Sequence, residues 1–229
     1  MSSPSMDKRH VAVIGGTAGI GLETARLLAG KGAQVTIGGR NRDRLDAAVN
    51  QLGGRAQAVA VDAEQVGSLR QFFAQTGPFS DLVITVTRRG GAGPASQLAE
   101  ADLPGAFAGK TVAHLRAVAL ALPTLAADGS ITLVTAGSAQ SALPGTAGLA
   151  AVNGALEAAV APLAFELAPR RVNAVSPGVI ETGWWEELPE DAKQEAFKTF
   201  AQRALVRRNG HAEDVAQAIA ALVENGFIT

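Results

Sequence analysis

Gly15-Gly16-Thr17-Ala18-Gly19-Ile20-Gly21 spaces three glycines as G-x-x-x-G-x-G. An apolar run at 11–14 precedes them, and Leu22, Ala25, Leu27 and Leu28 follow at helical spacing. Between a strand and a helix, this spacing suits a pyrophosphate. Gly15 permits the tight turn, Gly19 lets the backbone approach the phosphate, and Gly21 lets the helix pack close to the strand. The helix start adds free N–H groups and the positive end of its dipole. With Thr17 and Ile20, these residues form the predicted phosphate cradle.

A second apolar run, 35–37, ends at Gly38-Gly39-Arg40. A carboxylate here would hold the adenosine ribose hydroxyls of NAD. Gly39 stands in its place, and the Arg40 guanidinium beside it can pair with a 2′-phosphate and stack on adenine. The expected cofactor is therefore NADP(H), with Arg42 adding charge. Both arginines also fit a plainer reading, as solvated residues heading a helix.

Acid–base chemistry is harder to place. The chain has three histidines, no cysteine and no tyrosine. Scattered histidines without cysteine give no metal site. His114 is the candidate near neutral pH. It reads equally as a helix-interface histidine bonded to a backbone carbonyl, and His10 and His211 read as structural or surface residues.

The elements that must position these groups follow from short Val/Ile/Leu runs at 11–14, 35–37, 58–61, 82–86, 131–135 and 172–175. These runs are continuous rather than alternating, which suits parallel strands buried on both faces. Helical patterns lie between them at 45–52, 66–75, 103–125 and 146–167, the last containing Pro162, which is expected to kink it. Regular alternation predicts an α/β fold: a Rossmann-like, doubly wound parallel sheet with helices on both faces. No internal repeat or linker divides the 229 residues, so one dinucleotide-binding domain over 1–229 is expected.

A net charge of −1 gives no electrostatic case for nucleic acid or an anionic membrane. The polar first ten residues, the absence of cysteine and the lack of a convincing membrane span predict a cytoplasmic protein. Residues 181–208 break the strand–helix rhythm with Trp184-Trp185 and a polar helix over about 190–202. An insertion at the carboxyl edge of such a sheet is placed to cover a small-molecule substrate or ligand. Packing of the tryptophans onto the body or a neighbouring subunit is the other reading. A last helix is expected over 213–224.

Together with Val61-Asp62, Ala168-Pro169 through Gly178, Ile180-x-Thr182 and 209–216, these motifs resemble the short-chain dehydrogenase/reductase family along nearly the whole chain. The resemblance implies an oxidoreductase, assembled as a homodimer or homotetramer on its two long helices. It implies that Asp62 binds the adenine amine, that the backbone of Pro177, Gly178 and Ile180 holds the nicotinamide carboxamide, and that Thr182 reaches the pyrophosphate. Asp62 could instead cap the next turn, and Pro177-Gly178 is also an ordinary turn signal.

The departures concern the reaction itself. The family's catalytic Ser, Tyr and Lys fall on Ala136, Leu149 and Asn153, and its Asn-Asn-Ala-Gly segment is replaced by Ile84-Thr85-Val86-Thr87. Relatives also continue past Thr229 with a seventh strand, so either the sequence lacks such a tail or the sheet ends at six strands. Leu149 cannot transfer a proton, while Asn153 retains only a hydrogen bond to the cofactor ribose. Ser138, two residues beyond Ala136, is a candidate replacement together with His114; Thr135, Ser141 and water are further options. Ser138 and Ser141 also read as plain loop hydroxyls. The implied reaction is hydride transfer to or from a small carbonyl or alcohol with non-standard proton delivery. The alternative is a catalytically silent NADP(H)-binding sensor or partner subunit.

Overall fold

The computed structural model describes residues 5–229. Six parallel strands, β1 (His10–Ile14), β2 (Gln34–Gly39), β3 (Ala56–Ala60), β4 (Phe79–Ile84), β5 (Leu125–Val134) and β6 (Arg171–Val175), form one sheet in the order β3-β2-β1-β4-β5-β6. The order reverses between β1 and β4. Loops there diverge to opposite faces and leave a crevice at the carboxyl ends of the strands.

Alternation along each strand feeds two cores. In β1, Ala12 and Ile14 join Leu82 and Ile84 of β4 on one face, with Leu69 and Phe72 of α3 (Val66–Thr76), Ala117 of α5 (Ala113–Ala121) and Leu156 of α6 (Ala147–Leu167). Val11, Val13 and Val83 point the other way. They meet Leu28 of α1 (Gly19–Gly30), Leu45 of α2 (Arg42–Gln51) and Ile219 of α8 (Ala212–Glu224). The period-2 geometry of strands thus explains why the runs are apolar at every position. Each large side chain buried this way contributes about 1.5–3 kcal/mol.

Three buried charges anchor the amino end of the sheet. Arg9 donates to both oxygens of Asp81 at 2.9 Å, and Ser80 and Ser130 donate to the same carboxylate at 2.7 and 2.5 Å. Arg171 donates to the carbonyls of Leu222 and Ile228, tying the last residues against the edge of β6.

The expected helix over 103–125 is not one α-helix. It comprises α4 (Leu103–Ala106), a π-helical turn (Phe107–Val112) and α5, which stops at Ala121. Pro123 lies just beyond and has no N–H to continue the ladder. β5 starts six residues earlier than its apolar run. Phe79 pairs with Leu125 but Asp81 with Ser130, so residues 126–129 bulge out of register. Pro162 does not end α6, which continues as one helix from Ala147 to Leu167. The 181–208 insertion contains α7 (Glu190–Arg203).

Candidate functional site

The cradle lies where β1 feeds α1. Gly15 and Gly16 donate their N–H groups to the Gly38 carbonyl at 2.9 and 3.1 Å, fixing the turn. No side chain caps α1 at Ala18. The N–H groups of Gly19, Ile20 and Gly21 therefore have no partner within the helix, as an anion site requires. Gly15 has φ +95°, and a Cβ on Gly21 would come within 2.2 Å of the Gly15 carbonyl oxygen. Only glycine fits either position. The methyl of Thr182 lies 3.4 Å from where a Cβ on Gly19 would stand, which places Thr182 beside the helix start.

A cavity of about 210 Å³ runs from Gly15 and Thr17 past Gly39 and Arg40 to Asp62, then along Thr85, Val86, Thr87 and Gly109. A second, of about 610 Å³, opens beyond it between Arg40, Arg42, Asp62, Ser68 and Gln71. Arg40 is exposed and borders both. A Cβ on Gly39 would come within 2.6 Å of the Thr17 methyl, so an acidic residue could not stand there without displacing Thr17. Asp62 accepts from the Glu64 N–H at 3.0 Å, as a turn cap would, while still lining both cavities. The groove thus offers unpaired amides, a guanidinium and no carboxylate at the end of β2, which fits a phosphorylated dinucleotide.

At the other end of the crevice, Ala136 is followed by a short turn, Gly137–Ala139, pinned by the Gly137 N–H donating to the Pro177 carbonyl at 2.8 Å. Asn153 Nδ2 donates to Ser138 Oγ at 3.3 Å and to the Leu149 carbonyl at 2.9 Å. Its Oδ1 is buried with no partner. Asn153 and Ser138 are therefore brought together, and an acceptor is left for a ligand donor.

His114 shares no hydrogen bond with either of them. It is fully buried, and its Nε2 bonds the Val86 carbonyl at 2.9 Å. Burial pushes its pKa down to about 3, the carbonyl contact opposing this and the Lys110 charge adding to it. At neutral pH the ring is neutral. Of the two readings open from sequence, the geometry is that of the interface histidine bonded to a backbone carbonyl.

The tryptophans divide. Trp185 packs edge-on to Phe197 at 5.6 Å and beside Phe200, and its Nε1 donates to the Ile180 carbonyl at 3.0 Å. It holds α7 to the body. Arg89 lies 4.9 Å above the Trp184 ring, donates to its carbonyl and pairs with Glu187 at 2.8 Å. Gly210 and Ile180 form an isolated bridge that fixes the root of the insertion.

Two groups were missed from sequence. Lys110, in the π turn, is 7% exposed and donates from Nζ to the Thr135 carbonyl at 3.3 Å. Burial lowers its pKa to about 8, against the raising effect of Glu157. The Glu157 carboxylate accepts from Thr135, Gln140 and Ser176 at 2.8–2.9 Å. Burial alone would raise its pKa; these bonds and the Lys110 charge outweigh it, so the pKa is lowered. A signal was present. Lys110 and His114 stand one turn apart on a mostly apolar helical stretch, and Leu149, Asn153 and Glu157 are spaced four apart on α6.

A family model described as enoyl-(acyl carrier protein) reductase matches residues 15–229. Among curated relatives, an uncharacterized oxidoreductase of Mycobacterium tuberculosis is 33% identical, over 93% of this chain and 84% of its own. The cis-4-hydroxycyclohexanecarboxylate dehydrogenase of Sinomonas cyclohexanicum is also 33% identical, over 95% and 90%. Among solved structures, a short-chain dehydrogenase/reductase family protein superposes with a TM-score of 0.86 at 29% identity, over 99% of this chain and 94% of its own. A small-chain dehydrogenase in complex with NADPH superposes with a TM-score of 0.83 at 27% identity, over 97% and 94%. The parallel sheet, its glycine cradle and these matches along nearly the whole length lead to one conclusion: the chain belongs to the short-chain dehydrogenase/reductase family of oxidoreductases.

Proposed function

We propose that this protein is an NADP(H)-dependent oxidoreductase that interconverts a small carbonyl compound and its alcohol. The carrying observation is the uncapped start of α1 beside Arg40, with Gly39 where a ribose-binding carboxylate would stand. The similar dehydrogenase in complex with NADPH supports the same cofactor. A bound nicotinamide supplies the hydride; the chain supplies binding, orientation and the proton.

In this reading Gly19, Ile20, Gly21 and Thr182 hold the pyrophosphate, and Arg40 the 2′-phosphate. Asp62 turns its remaining acceptor capacity to the adenine amine. The backbone of Pro177, Gly178 and Ile180 meets the carboxamide, and Asn153 Oδ1 accepts from a ribose hydroxyl. Ser138 Oγ orients the substrate oxygen. Trp184 borders the substrate space under Arg89, while Trp185 is a packing residue. His114 is not the proton donor.

α6 supports self-association. By length and composition it is apolar enough to cross a membrane, yet only 22% of its most apolar window is buried. Phe165 on this helix is 91% exposed. An apolar face this open on a sheet-anchored helix suits a second copy of the chain, as a homodimer or homotetramer.

The replacement of the family's phenol by Leu149 favours one second reading, a catalytically silent NADP(H)-binding sensor or partner subunit. The test is an NADPH binding titration, then NADPH oxidation against ketones, aldehydes, quinones and the keto acid related to the Sinomonas alcohol. Saturable binding with turnover above solvent background is expected. Binding without turnover selects the silent protein, and failure to bind rejects both readings.

A further inference from the structure

Lys110 is the one buried lysine among the described residues. An ammonium carries three N–H donors. Here one meets the Thr135 carbonyl, and no other hydrogen bond to Nζ is found among the described residues. A buried, under-paired cation costs several kcal/mol, so its retention calls for a ligand that completes it.

Its position meets that demand. The π turn places Lys110 against the carboxyl end of β5, and π turns of this kind are frequent at functional sites. Thr135, its acceptor, directly precedes Ala136, where the family resemblance puts the hydroxyl that holds the substrate oxygen. Gly109, the preceding residue, lines the cavity that leaves the cradle. Thr111, the next residue, donates to the Val152 carbonyl at 2.8 Å, so this turn is clamped to α6 just before Asn153. Asn153 carries the unpartnered Oδ1.

We propose that Lys110 is the acid–base residue of this protein, delivering from Nζ the proton that a tyrosine would deliver from position 149. The inference rests on the NADP(H) oxidoreductase reading. In the reducing direction the carbonyl π bond breaks. Its carbon gains a hydride from the reduced nicotinamide dinucleotide, and its oxygen gains the proton leaving Lys110 Nζ. The carbonyl is reduced, the dinucleotide is oxidised, and the neutral amine regains a proton from water.

The charged group facing Lys110 across the site is Glu157 of α6, whose own hydrogen bonds go to Thr135, Gln140 and Ser176. It acts on Lys110 through its field. His114, on the same helical run, is neutral near pH 7. β5 and the segment after β4 contribute the Thr135 and Val86 carbonyls rather than charges. Arg88, which packs over Gly109, is paired with Glu64 and Asp102 at 3.5 and 3.1 Å. With the ammonium poised near neutrality, reduction is fast below pH 8 and slows above it as the acid form is lost.

The test combines a titration with kinetics on the full chain. The sequence has five lysines, so ¹³C-lysine labelling gives few resonances, and Lys110→Met assigns the one that matters. The Lys110 signal should titrate near pH 8 and move to lower pH in Glu157→Gln because a stabilising negative charge is gone. The fall of kcat/KM for reduction should follow the same shift. Lys110→Met should lose about 10²–10⁴-fold in kcat. Its NADPH Kd should hold, and its Tm should stay equal or rise, since an apolar chain replaces a buried cation. Turnover with an ordinary titration of Lys110, with kcat intact in Lys110→Met, or with the loss confined to NADPH affinity overturns this inference and leaves the cofactor reading standing. Wild-type binding without turnover also overturns it, in favour of the silent protein. No NADPH binding by wild type removes both.

Discussion

Asn153 Nδ2 and Ser138 Oγ lie 3.3 Å apart, joining α6 to the turn after β5. The contact leaves Asn153 Oδ1 buried and unpartnered. In the proposed function the two side chains have separate duties, the amide toward the cofactor and the hydroxyl toward the substrate. Ser138→Ala should lower kcat/KM about 3–10-fold, the worth of one neutral hydrogen bond, with NADPH Kd unchanged. Asn153→Leu should weaken NADPH by a similar factor. Steady-state kinetics and calorimetry on the two variants separate the roles; equal effects on both quantities would refute the division.

In the proposed function Arg40 sets cofactor choice. A charge-assisted contact to a 2′-phosphate is worth about 1.5–3 kcal/mol. Arg40→Ala should therefore weaken NADPH about 10–100-fold and NADH little, measured as Kd for each. A matched loss for both cofactors would reject the assignment.

His114 makes stability depend on pH. Its folded pKa, about 3, lies below the ordinary 6.5. Between these values the unfolded chain binds a proton that the folded chain refuses. The stabilisation is therefore full above pH 6.5 and is lost as pH falls toward 3. From pH 7 to pH 5 the contribution is about 2 kcal/mol. Urea unfolding should show that loss in the wild type, and His114→Leu should shed about this much of the pH dependence. An unchanged slope in the variant would contradict it.

Asp81 tests whether the two ends of the sheet act separately. It is fully buried and holds Arg9, Ser80 and Ser130 at the amino end, opposite the crevice. Asp81→Ala strands a buried guanidinium and should cost about 3–5 kcal/mol in a urea titration. NADPH affinity of the folded variant should stay within twofold.

The sheet and cradle were legible in the sequence because they rest on local rules. A strand buried on both faces must be apolar throughout, and Gly15 and Gly21 stand where no Cβ fits. The start of β5 was not legible. Asp128 and Gly129 interrupt the apolar pattern, and only pairing with β4 draws Leu125 into the sheet across a bulge. Lys110 was hidden for a related reason. Its weight comes from Thr135 and Glu157, distant in sequence and brought near by the β5–α6 crossover, and from a π turn that residue spacing does not announce. His114 showed the converse, a titratable residue whose burial holds its pKa well below neutrality.

Calorimetric titration of NADPH into the purified full chain tests the central claim most directly. Saturable binding at one site per chain, with NADH weaker, is expected. No heat at millimolar NADPH, with folded protein confirmed by circular dichroism, would contradict it.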